Sequence, residues 1–406
     1  MRRVAVIGGG ASGMIAAWAA ADKGNHVVLY EKNEKLGKKL YITGKGRCNI
    51  TNTASPTEFF GHVPRNPRFL YSSVGAFPSS ALVSLLNENG LPTQVERGGR
   101  VFPRSNKSSD VIATLSRMLH SSGVSVRLNT RVTSVEVNTD SQAHSVITAN
   151  SAERYDAVII ATGGVSYSAT GSTGDGYAFA RALGHDVLPA KAALVPLSTR
   201  EAWPRELMGL TLVNVRLSAY VQSKKLFDEL GELLFTHFGV SGPLVLTLSS
   251  IIADAPQGVE LRIDLKPGLD REELDRRLLR DLDKYKNKQM KNALFDLLPM
   301  SMAPIVLDLA GIDPLLNANS VTRAQRGALL SVLKGLPLTV DDVRPIDEAI
   351  ITRGGVSTRE IDPKTMESKL VKGLYFCGEV LDVDGFTGGF NLQIAFSTGF
   401  AAGRSV

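Results

Sequence analysis

The sequence predicts an α/β fold, and three observations along the 406-residue chain predict it. The first is Gly8-x-Gly10-x-x-Gly13, which lies between the apolar run 4–7 and an Ala-rich helical stretch. The second is Glu31, which ends another apolar run roughly 20 residues further on. The third is a change from strand-like to helical periodicity in the middle of the chain, which predicts an insertion into the α/β core.

The glycine pattern predicts a dinucleotide site, because each glycine has its own task. Gly8 allows a tight turn, Gly10 lets the backbone approach a pyrophosphate, and Gly13 lets the helix pack on the strand. The helix N-terminus supplies partial positive charge, and Glu31 can accept a hydrogen bond from a ribose hydroxyl. The residues predicted to bind the cofactor in this segment are Gly8, Gly10, Ala11, Ser12, Gly13 and Glu31.

NAD uses the same glycine pattern, so the rest of the chain has to separate NAD from FAD. A Gly- and Lys-rich stretch, 31–52, stands where a plain NAD domain continues with a compact helix and strand. Two later segments, YDAVIIATGG at 155–164 and GLYFCGE at 373–379, read as buried strands that end in small residues or an acid. Together with 31–52, these segments resemble those that approach the cofactor from three sides in two-dinucleotide-binding-domain flavoproteins, and the resemblance favours FAD. Further contacts with FAD are predicted for Lys32, Lys38, Lys39, Gly46, Arg47, Cys48, Asn49, Ala161, Thr162, Gly163, Gly378 and Glu379.

A glycine turn at 388–389 is predicted to open the last helix. The N–H groups at that helix end would face the part of the flavin where negative charge develops on reduction. Contacts with FAD are therefore predicted for Gly389, Asn391, Leu392 and Gln393. Asp382 and Asp384, just upstream, are interpreted as turn residues in preference to acids that face a substrate.

Motifs along nearly the whole chain resemble those of one known family. They are GGGASG at 8–13, GKGRCNITN at 44–52, RVFP at 100–103, ATGG at 161–164, GSTGDGY at 171–177, FTHFGVSGP at 235–243, TRGGV at 352–356 and GEVLDVDGFTGGFNLQIAFSTG at 378–399. The sequence resembles the BaiN/RdsA family of FAD-dependent oxidoreductases, also called YhiN-like or aminoacetone oxidase family proteins. The resemblance implies a two-dinucleotide-binding-domain flavoprotein with a Rossmann-like FAD domain and inserted β-barrel-like and helical domains. It also implies that the backbone of Val132 binds the adenine.

The cofactor segments lie at both ends of the chain, so the FAD domain is predicted to be discontinuous. It should comprise 1–190 and 345–406. Short alternating strands predict an inserted β domain at 191–268, and a helical period predicts a helical domain at 269–344. Asp270 is predicted to cap the first helix of that domain.

Composition excludes several other classes of protein. With 43% hydrophobic and 21% charged residues, the chain has the usage of a folded globular protein. Two distant cysteines predict neither a disulfide framework nor a redox pair, which favours a reducing, cytoplasmic setting. The run 4–7 is too short for a signal peptide, and no uncharged apolar run reaches about 18 residues, so no membrane partner is expected. The six histidines show no metal-ligand spacing, and no metal is expected.

Four side chains are candidate proton donors: Cys48, His237, Tyr41 and Tyr167. Cys48 and His237 are the preferred candidates. Arg47 next to Cys48 should lower the pKa of that thiol and make it reactive, although a small buried cysteine that packs the loop fits the same position. His237 follows a predicted strand and either caps the flavin or serves only the structure. The candidate catalytic residues are Cys48, His237 and Arg47, with Tyr41 and Tyr167 as further possible acids.

The basic charge of the chain is concentrated in one region. The net charge is +6, yet residues 32–107 alone hold twelve Lys and Arg against four acids, a local +8. This excess favours an anionic substrate such as RNA. Five aromatic residues in the same region would either stack on bases or belong to the core: Phe59, Phe60, Phe69, Tyr71 and Phe77.

The leading functional hypothesis is an FAD-dependent oxidoreductase that uses NAD(P)H to reduce an activated C=C bond. The family resemblance implies two acceptors, a uridine of ribosomal RNA or an unsaturated 3-oxo steroid or bile acid. The sequence holds no second GxGxxG unit, so NAD(P)H would bind only transiently. The alternatives are an oxygen-using oxidase of a small amine or aminoketone, and a non-catalytic flavin-binding scaffold. The oligomeric state is left open.

Overall fold

The computed structural model describes residues 1–138 and 143–406, and within them the chain divides into two compact units. The first unit comprises Met1–Ala193 and Ile346–Val406, and the second comprises Leu194–Pro345. The first unit is therefore discontinuous in sequence. The finer division of the insertion into a β domain and a helical domain stays a prediction.

A five-stranded parallel sheet forms the centre of the first unit, in the order β19-β10-β1-β2-β6. Its strands are β1 Arg3–Ile7, β2 His26–Tyr30, β6 Ser125–Arg127, β10 Ala157–Ile160 and β19 Leu374–Phe376. β10 and β19 are buried at every residue, as expected for parallel strands covered on both faces. The predicted Rossmann-like α/β fold is confirmed.

The helices of the first unit cover this sheet and its loops. They are α1 Ala11–Asp22, α2 Lys38–Ile42, α3 Pro56–Gly61, α4 Tyr71–Ala76, α5 Ser79–Glu88, α6 Ser108–Ser121, α7 Asp175–Ala182 and α13 Phe390–Ser405. α1 and α13 approach each other closely at two glycines of α13. A Cβ atom on Gly399 or Gly403 would collide with the carbonyl oxygens of Ser12 and Ala16, so these glycines serve helix packing.

Three antiparallel sheets complete the first unit. They are β3 Thr51–Asn52, β5 Arg100–Pro103 and β4 Thr93–Glu96 in that order; β7 Val132–Asn138, β8 Ala143–Thr148 and β9 Ala152–Tyr155; and β11 Val187–Ala193 with β18 Ile351–Val356. The last pair joins the two sequence segments of the unit, because β18 follows the insertion and pairs with the strand that precedes it.

One segment of the first unit, Pro67–Glu88, is long and apolar enough to cross a membrane by length and composition alone. It is broken between α4 and α5 at Phe77 and Pro78. Phe77, Leu82 and Leu86 from this segment are buried in the core of the unit.

The second unit contains a closed barrel in the strand order β12-β15-β14-β13-β16-β17. The strands are β12 Leu197–Thr199, β13 Thr211–Val221, β14 Lys224–Thr236, β15 Gly239–Ser241, β16 Glu260–Asp264 and β17 Leu336–Val343. β17 follows the helices of the insertion and pairs with both β12 and β16. The barrel therefore closes only after the helical stretch has been traversed.

The helices of the second unit are α8 Pro243–Ile252, α9 Arg271–Lys284, α10 Met290–Ala293, α11 Ala303–Leu309 and α12 Arg323–Lys334. The predicted cap at Asp270 is confirmed as a capping box, since its Oδ1 accepts from the Glu273 N–H at 2.8 Å. Barrel residues such as Leu217 share one hydrophobic core with helix residues such as Leu278 and Leu329.

Candidate functional site

The glycine-rich turn between β1 and α1 has the close contacts that the sequence predicts. Gly8 has a φ of 108°, and a Cβ atom there would lie 2.5 Å from the carbonyl oxygen of Ala161. A Cβ atom on Gly13 would collide with the carbonyl oxygen of Gly8. A Cβ atom on Gly10 would meet nothing within 4 Å. Two glycines are thus needed for packing, and the third leaves an open cradle over the helix end.

The N-terminus of α1 is ready to receive an anion. Gly10 is its N-cap, no side chain caps it within the described residues, and its first turn holds no acid. The N–H groups of that turn are therefore available to a phosphate. Glu31 is buried at the end of β2, where its carboxylate accepts hydrogen bonds from the Gly9 N–H at 2.7 Å and the Asn33 N–H at 2.8 Å. This carboxylate is held beside the turn, as a contact with a ribose requires.

The segments predicted to converge on the cofactor meet at Glu379. The Lys39 ammonium lies 2.7 Å from Glu379 Oε2 and also donates to Ser166 Oγ at 2.7 Å. The backbone N–H of Thr352 donates to Glu379 Oε1 at 2.8 Å. Lys39 and Glu379, each predicted to contact FAD, thus bind each other. Thr352, which opens the motif TRGGV, and Ser166, which no motif indicates, also join this network.

The other lysines predicted to bind FAD have carboxylate partners in the structure. Lys38 pairs with Glu34 at 3.0 Å, and Lys32 pairs with Asp175 at 3.0 Å. Asp175 also binds Arg131 at 2.9 Å. These pairs fix the loop that follows β2 and lower the local excess of positive charge. The role of Lys32 and Lys38 toward FAD stays a prediction.

The expectation that Arg47 lowers the pKa of Cys48 is wrong. The Arg47 guanidinium pairs with Glu96, binds Asn106 Oδ1 at 2.6 Å and lies 4.3 Å from the ring centroid of Phe102. Cys48 is completely buried, and burial raises the pKa of its thiol to about 12. A neutral, enclosed thiol is a poor acid near neutral pH, so the structure favours a packing role for Cys48.

We expect both thiols to resist alkylation in the folded protein. Cys48 and Cys377 are unpaired, each is 0% exposed, and burial raises both pKa values to about 12. Iodoacetamide at mildly alkaline pH should modify neither cysteine in the native state and both after denaturation, as read by mass spectrometry of the intact protein. Rapid modification of native Cys48 would contradict its burial. Cys48→Ala should retain turnover.

Two polar atoms in the predicted FAD segments are buried without a hydrogen-bond partner in the described part of the chain. They are Thr162 Oγ1, just after β10, and Asn49 Oδ1, just before β3. Buried polar atoms of this kind are costly unless a ligand or water satisfies them. Gly46 and Gly163 lie in the same segments with φ angles of 81° and 72°. The uncapped α1, the cradle at Gly10 and these two atoms fit an extended dinucleotide such as FAD.

Val132 and Ala161 lie where the prediction places them along the chain, with Val132 opening β7 and Ala161 directly following β10. Both side chains are buried, which leaves only main-chain groups for a ligand. Gly378 follows β19 and packs against the first turn of α1, since a Cβ atom on it would collide with Ser12 Oγ. Contacts of these residues with FAD stay predictions.

At the start of α13, side chains bind neighbouring protein groups, and no side chain caps the backbone N–H groups of the first turn within the described residues. Gly389 is the N-cap with a φ of 101°. Asn391 accepts from the Gly385 N–H at 2.8 Å and donates to the Gly385 carbonyl at 2.6 Å. Gln393 is completely buried and binds Thr51 Oγ1 at 2.6 Å. The side chains of Asn391 and Gln393 therefore hold the loop. Leu392 is partly buried against the core, so main-chain N–H groups stay the predicted contacts with the flavin.

Asp382 and Asp384, interpreted from the sequence as turn residues, lie in the irregular loop before α13, and both are buried. Asp382 is 4% exposed and Asp384 is 1% exposed, and both face Arg65. Arg65 Nη2 lies 3.5 Å from Asp382 Oδ1, and Arg65 Nε lies 3.7 Å from Asp384 Oδ1. Burial raises the pKa of Asp384 to about 6, against the lowering effect of Arg65 and Arg353. Local turn propensity gave no indication of this cluster.

The remaining candidates are less enclosed or lie elsewhere. His237 lies in the second unit, in the turn between β14 and β15, with its exposed ring edge-on to Phe238. Tyr41 is exposed, and Tyr167 adopts a left-handed backbone conformation. Of the five aromatic residues considered for base stacking, Phe59, Phe69 and Phe77 are core residues, Phe60 is partly buried, and Tyr71 is exposed. Among the described residues, no cluster of His, Cys, Asp and Glu could hold a metal ion.

Comparison with known proteins places this site in a family. The family described as HI0933-like protein Rossmann domain matches residues 2–405. The chain is 33% identical over 412 residues to a 3-dehydro-bile acid delta(4,6)-reductase of Clostridium scindens, covering 100% of this chain and 99% of the relative. It is 31% identical over 405 residues to a ribosomal RNA dihydrouridine synthase of Haemophilus influenzae, covering 99% and 97%.

Two solved structures share the fold. A 3-ketosteroid delta4-(5alpha)-dehydrogenase from Rhodococcus jostii has a TM-score of 0.51 at 15% identity, covering 100% of this chain and 96% of that chain. A 3-ketosteroid delta1-dehydrogenase from Sterolibacterium denitrificans has a TM-score of 0.54 at 16% identity, covering 99% and 98%. At this level of identity the likeness concerns the fold alone.

Proposed function

This chain belongs to the HI0933-like, or BaiN/RdsA, family of flavin-dependent oxidoreductases, and we propose that it uses NAD(P)H to reduce a C=C bond conjugated to a carbonyl group. The observation that carries the proposal is the full-length similarity to two kinds of reductase. Reduction of an unsaturated bile acid and conversion of uridine to dihydrouridine both add hydrogen across such a bond. The shared chemistry is independent of the size of the substrate.

FAD, when bound, supplies the hydride for this reaction. The cradle at Gly10 and the uncapped start of α1 would hold its pyrophosphate, and Glu31 would hold its ribose. The backbone at the start of α13 would stabilise negative charge on the flavin ring. The network around Glu379 holds together the loops that are predicted to line this site, which would keep the ring and the substrate in one orientation.

We propose a uridine in ribosomal RNA as the acceptor, because exposed basic side chains cluster on neighbouring segments. Arg104 and Lys107 lie just after β5. The Ser108 N–H donates to the Gly46 carbonyl at 2.9 Å, which brings Lys45 to the same region. Such a cluster attracts a phosphate backbone. An unsaturated 3-oxo bile acid is the second candidate, supported by the relative at 33% identity.

The electron donor and the compartment are also proposals. A nicotinamide nucleotide would bind transiently over the flavin, since the chain has a single GxGxxG unit. Both cysteines are unpaired thiols, which suits a reducing compartment such as the cytoplasm.

An anaerobic stopped-flow experiment tests this function in two steps. NADH or NADPH should bleach the bound flavin, and either an in vitro transcribed ribosomal RNA fragment or a 3-oxo-4,6-diene bile acid should then restore its colour. With RNA, mass spectrometry should find dihydrouridine, and rising salt should slow the reaction. Flavin that is bleached by a primary amine but by neither nucleotide would support an amine oxidase instead. Flavin that responds to no reagent would support a non-catalytic scaffold.

A further inference from the structure

The loop between β19 and α13 carries a buried carboxylate whose lone pairs are unused. Neither carboxylate oxygen of Asp384 has a hydrogen-bond partner within the described residues. Arg65 Nε, which lies 3.7 Å from Asp384 Oδ1, is also buried without such a partner among the described residues. A buried ion pair that serves only stability normally satisfies its lone pairs and protons with hydrogen bonds. The geometry at Asp384 therefore has capacity left for another group.

The neighbouring acid is held in a different way. Asp382 Oδ2 accepts a hydrogen bond from Asn66 Nδ2 at 3.1 Å, and the Asp382 N–H donates to the Val356 carbonyl at 2.9 Å. Asn66 Nδ2 also donates to the Asp382 carbonyl at 2.7 Å. These bonds anchor the loop at Asp382, so the orientation of Asp384 two residues later is fixed without bonds to its own carboxylate.

The loop that carries Asp384 runs between two parts of the predicted FAD site. At its start, Gly378 packs against Ser12 in the first turn of α1. At its end, the Gly388 carbonyl accepts from Asn52 Nδ2 at 3.0 Å, next to the N-terminus of α13. Asp384 lies about midway along the chain between these two anchor points, and both of them are in segments predicted to contact FAD.

We propose that Asp384 is the catalytic acid that protonates the substrate, and that Arg65 is its positioning residue. The proposal rests on the reductase function above. Reduction adds a hydride to the β carbon and a proton to the α carbon of the conjugated bond. The O–H bond of the Asp384 carboxyl breaks as the C–H bond at the α carbon forms. The carboxylate that is left takes up a proton from water before the next turnover.

The charges around Asp384 suit this role. Burial raises the pKa of Asp384 to about 6, Arg65 and Arg353 lower it, and Asp382 raises it. An acid with a pKa near the working pH can both give a proton and regain it. A carboxyl in full contact with water would be ionised at that pH and would have no proton to give.

Comparison of Asp384→Asn with Asp186→Asn, an exposed control in the same unit, tests the assignment. Each enzyme is reduced anaerobically with dithionite and then mixed with the RNA fragment or the 3-oxo-4,6-diene bile acid. Reoxidation should be roughly 100-fold slower or more in Asp384→Asn and unchanged in the control. Flavin content and the rate of reduction by NAD(P)H should be unchanged in both. Reoxidation of Asp384→Asn at the wild-type rate would overturn the assignment.

A second measurement is independent of turnover. Infrared difference spectra of the wild-type protein during a pH titration should contain a carboxyl C=O band with a midpoint near pH 6 that is missing in Asp384→Asn. Absence of that band in the wild type overturns the inference on its own. If the band is present but neither substrate reoxidises wild-type flavin, the proposed reductase function fails instead. Asp384→Glu should retain turnover with a displaced pH profile, whereas a purely structural Asp384 would leave the profile unchanged.

Discussion

Gly13→Ala is expected to prevent the accumulation of folded, flavin-bound protein. The new methyl group would overlap the carbonyl oxygen of Gly8 and would lie 3.3 Å from the Cβ atom of Ala161. Both neighbours belong to the buried junction of β1, α1 and β10, where the backbone cannot give way without breaking strand or helix contacts. Overpacking of a rigid core lowers the free energy of unfolding by about 1–3 kcal/mol. A collision with backbone atoms should cost at least the upper value of that range.

Gly10→Ala is the matched control, because it adds the same methyl group three residues earlier. Its Cβ would meet nothing within 4 Å, and the φ of −82° at Gly10 is open to alanine. This variant should fold with the wild-type melting temperature of the apoprotein, yet the methyl group would occupy the cradle and weaken FAD binding. The ratio of FAD to protein and the melting temperature of the apoprotein separate the two effects. A stable Gly13→Ala, or a Gly10→Ala with full FAD content, would contradict this account.

The central sheet could be predicted because its signals are local. A β-branched run, three glycines at fixed spacing and a terminal acid each constrain the few residues around them, and β1, α1 and β2 form where expected. The barrel was harder to predict in full. β17 pairs with β12 and β16 across a long helical stretch, and only these distant partners make Leu336–Val343 a barrel strand. The helical period of the preceding residues therefore assigns 336–343 to the predicted helical domain, whereas the structure makes it a barrel strand.

In the candidate site too, contacts between side chains that are distant in sequence could not be predicted. The positions of Lys39 and Glu379 next to the cofactor segments could be predicted from strand ends, whereas their pairing depends on how three loops fold together. Arg47 was assigned to Cys48 because the two are adjacent in sequence, but its partners Glu96 and Asn106 come from another segment. Adjacent side chains in an irregular loop need not face each other.

The burial of Asp384 is the most consequential of these differences. Asp and Gly in the segment DVDG are typical of turns, which is why the sequence favours turn residues over acids that face a substrate. The structure encloses that loop, since its backbone binds Val356 on one side and His62 on the other. This enclosure raises the pKa of Asp384 to about 6. The chemistry follows from tertiary packing and has no local signature.

Arg65→Met is expected to destabilise the folded protein at about pH 8 by about 3 kcal/mol, because it removes the arginine that lies within 4 Å of two buried carboxylates. The methionine keeps most of the volume of the arginine stem, so the loss is mainly one of charge. Asp384→Asn in the same chain should restore much of the stability, since it removes the carboxylate that suffers most. Chemical denaturation of the wild type, Arg65→Met, Asp384→Asn and the double variant gives the coupling free energy between Arg65 and Asp384.

The pH dependence of the stability lost in Arg65→Met shows whether the loss comes from charge or from packing. In the wild type the pKa of Asp384 is raised to about 6 in the folded state, whereas an unfolded Asp has a pKa of about 3.9, so the folded state holds the proton more tightly. The contribution of Asp384 to the free energy of unfolding therefore falls as pH rises from about 4 to about 6 and stays low above that. Arg65 lowers this pKa, so Arg65→Met raises it further and extends the loss of stability to higher pH. The difference in the free energy of unfolding between Arg65→Met and the wild type should be largest at alkaline pH. It should become smaller toward about pH 4, where Asp384 is protonated in both proteins. If this difference in the free energy of unfolding is constant from acid to alkaline pH, Arg65 acts through packing and not through the charge of Asp384.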